Sequence, residues 1–264
     1  IFMIFLSSYF LWKICFNFDR YSKIIGYRLT DGVRGATINA IGSSLPELFT
    51  SLFFLFILKD VIGFSAGIAT ILGSAVFNIL IIPAIIIPIL IKNNHEIIIR
   101  KNLIIRDSGV LLVSQISLLY FIQDGIISLS DAFYLFLIYL AYILVLTRGG
   151  LLSVKSPNTH KKRSQNAWKH LLWDICKISF WCLILVKSCE LIGGGPYPTY
   201  IPFHEHLSGM GWNIMFIAVF IAAAASSIPD LFISVVDAKN GNVDDSIANP
   251  LASNLFDICI SFGL

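Results

Sequence analysis

Ala40-Ile41-Gly42-Ser43-Ser44-Leu45-Pro46-Glu47-Leu48-Phe49-Thr50-Ser51 has a second copy in Ala223-Ala224-Ala225-Ser226-Ser227-Ile228-Pro229-Asp230-Leu231-Phe232-Ile233-Ser234. The phrase Ser-Ser-x-Pro-acid-Leu-Phe-x-Ser recurs without a gap. A further element follows each copy. Gly73-Ser74-Ala75-Val76-Phe77-Asn78-Ile79 answers to Ala252-Ser253-Asn254-Leu255-Phe256-Asp257-Ile258. Agreement of this length, in matching order, marks an internal repeat.

Both copies lie in apolar surroundings. Of the 264 residues, 56% are apolar and 13% charged, and the mean hydropathy is +0.80. Too few charges are present to cover a soluble surface of this size. The apolar residues fall in blocks long enough to cross a bilayer, for which about 20 residues are needed. The blocks are Ile1–Phe16, Val33–Leu58, Val61–Ile91, Ser108–Ile122, Asp131–Leu146, Leu171–Ile192, Met210–Val236 and Ser246–Leu264. The first block has neither a basic leader nor a small-residue cleavage site, so it does not read as a cleavable signal.

The connections alternate in charge. Arg20, Lys23 and Arg28 follow span one; Lys92, Arg100, Lys101 and Arg106 follow span three; Arg148, Lys155, Lys161, Lys162, Arg163 and Lys169 follow span five. The connections after spans two, four and six carry Lys59 alone. By the positive-inside rule the N-terminus lies outside and the 148–170 linker is cytoplasmic. The repeat copies sit in spans two and seven, five apart, so the second enters the membrane from the opposite face. Such inverted-topology repeats are common in secondary transporters, which bind their ions between the repeats near the midplane. The expected fold is therefore all-α and polytopic, built from inverted five-helix repeats. Residues 1–147 form the first half (repeat about 33–91), and 171–264 form three helices of the second (repeat about 210–264). By symmetry two more helices are expected after Leu264. The opening at Ile1 and the stop inside an apolar run read as a fragment.

Glu47, Asp230 and Asp257 fall in mid-span, where an ionised carboxylate costs several kcal/mol without a partner or water. Lys13 and Lys177 lie in spans one and six, not in the four repeat helices. Either each acid is protonated and bonded to a neighbouring helix, or a cation supplies the counter-charge; symmetric placement of the acids favours the cation. Pro46 and Pro229 lack a backbone donor and free carbonyls one turn earlier, around Ala40 to Ser43 and Ala223 to Ser226. Such carbonyls are tolerated in a membrane where they line a site. Ser43, Ser44, Ser226 and Ser227 add hydroxyls. Ser74 and Asn78, and Ser253 and Asp257, stand four apart, each pair on one helix face. The donor set is entirely oxygen, as hard cations such as Ca²⁺ and Na⁺ require. With three acids the empty site is strongly anionic and disfavoured when occluded, so exchange rather than leak is expected.

These motifs resemble the two alpha-repeats of the cation/calcium exchanger superfamily, above all the potassium-dependent branch of the sodium/calcium exchangers. The resemblance covers nearly the whole chain in helix order. It implies a ten-helix fold, of which this chain would hold eight, and Na⁺/Ca²⁺ antiport by alternating access, with helices one and six sliding across the rest. It further implies that Glu47 and Asp230 are the Ca²⁺ carboxylates, helped by backbone oxygens of Ser43 and Ser226. Ala40 and Ala223 carbonyls would serve flanking Na⁺ sites. Ser74, Asn78, Ser253 and Asp257 would complete the shell, assisted by Ser44 and Ser227. An acid at Asp257 is associated with K⁺ co-transport in that branch. Ala225 and Ala252 stand where the motifs usually carry glycine, Asn39 brings an amide into span two, and Pro250 is expected in the first turn of span eight, where it is tolerated.

Other classes fit less well. Proton/calcium exchangers share the fold, but Gly-Asn-x-x-Glu is expected in their repeats. A channel would need a continuous polar pore, and an enzyme a nucleophile with its base or a metal dyad; neither is evident, and no cofactor is implied. Cys15, Cys176, Cys182, Cys189 and Cys259 lack ligand spacing and read as small packing residues. His204-Glu205-His206 is not a zinc-helix motif. Ser153–His170 reads as a solvated linker that sets orientation rather than a nucleic-acid surface. The lipid bilayer, Ca²⁺ and Na⁺ are the expected partners, in a plasma or inner membrane.

Overall fold

The computed structural model describes residues 1–25, 35–58, 60–92, 101–124, 128–149, 161–193 and 210–262. Almost all of these residues are helical, in eight rods that correspond in order to the eight expected spans. They are α1 (Phe2–Ile25), α2 (35–58), α3 (60–92), α4 (Lys101–Phe121), α5 (Leu129–Gly149), α6 (Lys161–Gly193), α7 (214–239) and α8 (243–261). By length and apolarity, α2 through α5 and α7 can each cross a membrane. The apolar part of α1, Phe2–Phe18, is shorter, while α6 carries the ion pairs Asp174–Lys177 and Lys187–Glu190 along its own length.

The packing repeats with inversion. α2 lies on α3, and α7 on α8, within their halves. Across the halves α1 packs on α7, α6 on α2, and α1 pairs with α6. Leu11, Ile14 and Cys15 of α1 share a core with Ile178, Cys182 and Leu185 of α6. Phe10 stacks on Trp181 with ring centres 4.2 Å apart. Trp12 reaches Phe232 of α7, at 4.7 Å. On the other side, α4 and α5 cover α8, with Leu111, Leu118, Leu135 and Tyr142 packed near Leu255 and Ile258. Asp107 on α4 is held there by Arg106 (2.7 Å) and by the Tyr142 hydroxyl of α5 (3.1 Å).

Several features depart from the sequence reading. Four wide π-type turns occur in equivalent places: Gly35–Asn39 and Ile217–Ala222 precede the two acid motifs, and Phe77–Ile81 and Asp257–Ser261 begin at or beside Asn78 and Asp257. Such turns insert one residue per bond and recur at functional sites. The two prolines act differently. α2 runs helically through Pro46, whereas α7 breaks at Ser227 (φ −81°, ψ −2°) just before Pro229. Pro250 is not in a first turn. α8 begins at Val243, with Asp244 and Asp245 in its first turn where the helix dipole favours acids; Pro250 therefore sits in the helix interior. α6 also begins earlier than expected, so 161–170 of the linker is helical and continuous with it. α7 turns into α8 through Gly241, whose φ of +80° suits a helix end that only glycine adopts cheaply. The His204–His206 segment and linker residues 150–160 lie outside the described residues.

The glycine that the second half lacks has a packing role in the first. A Cβ on Gly73 would lie 2.1 Å from the Val219 carbonyl oxygen and 2.7 Å from Ala223 Cβ on α7. Backbone lines this contact, so the helices must part to admit a methyl group. Gly73→Ala is expected to cost about 1–3 kcal/mol through overpacking. Gly109→Ala, where a Cβ meets nothing within 4 Å, is expected to be neutral or slightly stabilising through helix propensity. Thermal unfolding of both variants in detergent checks the contrast; equal midpoints would remove the close approach of α3 and α7.

Candidate cation-binding site

The repeat helices bring their polar residues to one buried zone. Glu47, Asp230, Asp257, Asn78, Ser43, Ser44, Ser74, Ser226, Ser227, Ser253, Ala40 and Ala223 are all at most 1% exposed. Helical spacing explains the convergence: Ser43, Ser44 and Glu47 share a face of α2, and Ser226, Ser227 and Asp230 follow the same spacing on α7.

Two nests result, related by the inverted repeat. Around Glu47, Ser74 Oγ donates to Oε1 at 3.3 Å, and Ser227 Oγ lies 2.9 Å from Oε1 and 2.8 Å from Ser74 Oγ. Around Asp230, Ser253 Oγ donates to Oδ2 at 2.8 Å and is itself 2.5 Å from Ser44 Oγ. Each acid is thus bonded by the serine of its own half's second helix, which meets the second motif serine of the opposite half. Asn78 of α3 reaches across to the second nest. Its Nδ2 donates to Asp230 Oδ2 at 3.2 Å and to Asn254 Oδ1 at 3.0 Å.

Other expected members bond mainly within their own helices, although Ser43 Oγ also approaches Asn249 Oδ1 beside Asp230 at 3.4 Å. The Ser43 hydroxyl turns back to the Asn39 and Ala40 carbonyls, at 2.9 and 3.2 Å. Ser226 does the same to Ala223 at 3.1 Å, whose carbonyl also accepts the Ser227 N–H at 3.0 Å. Asp257 joins neither nest by a described hydrogen bond; Ser261 Oγ approaches its Oδ1 at 3.4 Å. The Ser253/Asp257 pair therefore divides, one member on Asp230 and the other on the π-type turn, and Ser74 and Asn78 likewise serve different acids.

Two residues were missed. Asn249 Nδ2 donates to Asp230 Oδ1 at 3.2 Å; its place one turn before Ser253, on the face shared with Asp257, was available as a signal. Asn254 joins the halves by donating to the Ala75 carbonyl of α3 at 3.2 Å; standing beside Ser253 in an apolar motif, it gave no periodic signal. From α6, Cys182 Sγ approaches the Pro46 carbonyl at 3.6 Å.

Burial makes charge balance the governing problem. The described ion pairs of Arg106, Lys177 and Lys187 each lie within one helix and involve none of the three site acids. Among the expected site residues, three buried acceptor oxygens meet no hydrogen-bond donor: Glu47 Oε2, Asp257 Oδ2 and Asn78 Oδ1. Among the described residues no three Asp, Glu, His or Cys side chains gather closely enough to hold a metal by themselves. The arrangement therefore depends on serine, amide and backbone oxygens beside its acids, a weak and hard donor set. An apolar hollow between α5 and the end of α8, lined by Phe133, Phe136, Leu137, Cys259 and Ile260, offers no such set.

Comparison with known proteins agrees with this geometry. The sodium/calcium exchanger protein family matches residues 1–148 and 199–264. Sodium/potassium/calcium exchanger 3 of Rattus norvegicus is 38% identical over 118 residues, which are 45% of this chain and 18% of that protein. This chain thus matches less than a fifth of that relative's length. Among solved structures, the sodium-calcium exchanger NCX_Mj is similar with a TM-score of 0.66 and 21% identity, over 98% of this chain and 80% of that one. The H+/Ca2+ exchanger CAX is similar with a TM-score of 0.78 and 16% identity, over 99% of this chain and 65% of that one. At these identities both structures speak for the shared fold. The matched family spans most of the chain, including both acid motifs, and the chain is a multi-pass membrane protein belonging to the sodium/calcium exchanger protein family.

Proposed function

We propose that this chain carries the ion site of an antiporter that exchanges Na⁺ for Ca²⁺ by alternating access, and that it is not an enzyme. The observation that carries this is the set of donorless acceptor oxygens, Glu47 Oε2, Asp257 Oδ2 and Asn78 Oδ1, buried between inverted repeats. Hard cations satisfy such oxygens without needing a donor hydrogen. Glu47 and Asp230 are the principal Ca²⁺ ligands, with backbone oxygens of Ser43 and Ser226. Ala40 and Ala223 carbonyls serve flanking Na⁺, and Ser44, Ser74, Ser227 and Ser253 hold the acids in place. No cofactor and no nucleic acid takes part.

The inverted packing suggests the moving parts. α1 and α6 pair with each other, and each rests against the acid-bearing helix of the opposite half. Shifting that pair would open the site to alternate faces. The N-terminus is placed outside and the 148–170 linker in the cytoplasm, in a plasma or inner membrane. K⁺ is a candidate co-transported ion, because Asp257 supplies a third acid and the rat relative is a sodium/potassium/calcium exchanger. Proton coupling is the second reading, favoured by the likeness to the H+/Ca2+ exchanger fold; the Ser-Ser-x-Pro-acid repeats favour Na⁺.

Proteoliposomes holding the protein, loaded with Na⁺ and diluted into Na⁺-free buffer, are expected to take up radiolabelled Ca²⁺. Uptake driven by a pH gradient but not by Na⁺ would transfer the protein to the second reading. Glu47→Ala or Asp230→Ala is expected to abolish uptake without preventing insertion, because a carboxylate ligand is lost; wild-type uptake in either variant would refute the site. If K⁺ is co-transported, uptake rises with K⁺ on the Ca²⁺ side and Asp257→Asn removes that rise. A K⁺-insensitive rate rejects co-transport. Single cysteines placed at Lys155 and at Tyr200 in a cysteine-free background are expected to label from the inside and the outside respectively; the reverse pattern would overturn the orientation.

A further inference from the structure

We propose that Asn249 sets the cation affinity of this site by competing for Asp230, an inference that rests on the ion-binding reading above. The two motif acids occupy equivalent places but not equivalent hydrogen-bond states. Glu47 receives donors at Oε1 alone, and Oε2 meets none. Asp230 receives donors at both oxygens: Ser253 and Asn78 at Oδ2, and Asn249 at Oδ1. Ser74 and Ser253 correspond in the repeat, so their contributions match. Asn249 breaks the symmetry at the oxygen that Glu47 leaves open.

The corresponding residue in the first half is Thr70, four residues before Ser74 as Asn249 is four before Ser253. Thr70 Oγ1 donates back to the Ala66 carbonyl of its own helix at 2.9 Å, the local bond that a short hydroxyl makes readily. The longer amide of Asn249 instead crosses to α7. Its Nδ2 is 3.2 Å from Asp230 Oδ1 and 3.4 Å from Ser234 Oγ, while its Oδ1 accepts the Ser43 hydroxyl at 3.4 Å. These partners fix the amide's direction, since an oxygen turned towards Asp230 would meet a carboxylate with no proton between them. Asn249 is fully buried, so water does not compete for this bond.

A cation that ligates Asp230 through Oδ1 shares that oxygen's lone pairs with the Asn249 donor, and the bond to the amide draws electron density away from the ion. Bonds from an N–H to an ionised acceptor are among the strong ones, so this sharing weakens ion binding relative to a site without it. Asn249 acts through Asp230 and is a positioning residue, not an ion ligand. Glu47 is the acid with an open oxygen, and Asp230 binds the ion more weakly while the amide holds Oδ1. Release is correspondingly faster.

Ca²⁺ binding to purified wild-type protein and to Asn249→Thr, measured by titration calorimetry and paired with exchange rates, tests this. Threonine is the residue the first half places here. Asn249→Thr is expected to bind Ca²⁺ about tenfold more tightly, about 1.4 kcal/mol, to half-saturate at lower Ca²⁺, and to turn over more slowly at saturation. Should threonine disturb folding, Asn249→Ser is expected to shift affinity in the same direction. Unchanged or weaker binding in a folded variant, beside normal wild-type binding, would mean that Asn249 merely props up Asp230 and overturns the proposal. If wild-type protein binds neither Ca²⁺ nor Na⁺, the ion-site reading fails and this inference fails with it.

Discussion

Carboxylates in the hydrocarbon core are the constraint around which this molecule is arranged. Removing an ionised acid from water costs several kcal/mol, and the cost is tolerated only where donors, water or a counter-ion replace the lost hydration. Glu47 and Asp230 meet it with serine hydroxyls and amides drawn from α3, α7 and α8, in both halves. The acids thus do more than occupy the centre. They require α2, α3, α7 and α8 to meet, and the remaining helices pack around that meeting point.

Much of this was legible in the sequence because it is periodic or repeated. The gapless recurrence of Ser-Ser-x-Pro-acid located both acid helices, and its odd separation gave their inversion. Charge alternation and block length gave the order of the helices. The family resemblance placed Ser74, Asn78 and Ser253 around the acids, and in the structure each bonds a carboxylate. What escaped depends on backbone detail that composition does not encode. The Asp257 N–H bonds the Ser253 carbonyl in ordinary helical register, yet the two side chains take different partners, and the π-type turns begin only at or beside Asn78 and Asp257. α2 also passes through Pro46 while α7 breaks before Pro229, although the local sequences nearly coincide. Asn254 was hidden because its partners, Asn78 and the Ala75 carbonyl, are distant in sequence.

The repeat is close in backbone plan but uneven in chemistry. Gly73 admits the α7 backbone where its counterpart Ala252 keeps a methyl group. Asn78 faces Asp257 across the relation, an amide opposite an acid. Thr70 returns to its own helix where Asn249 crosses to its neighbour. Each difference is small, yet together they leave the two halves unequal in packing and in hydrogen bonding.

The continuity of α6 has a mechanical meaning. Its 33 residues, at about 1.5 Å each, make a rod of about 50 Å, well beyond the roughly 30 Å of a bilayer's hydrocarbon layer. No proline interrupts it, and midway along it Cys182 rests on the Pro46 carbonyl beside Glu47. A rod without a joint transmits displacement instead of absorbing it. The end at Lys161 is therefore a lever arm, and whatever pulls or steadies it acts on the helix that carries Glu47.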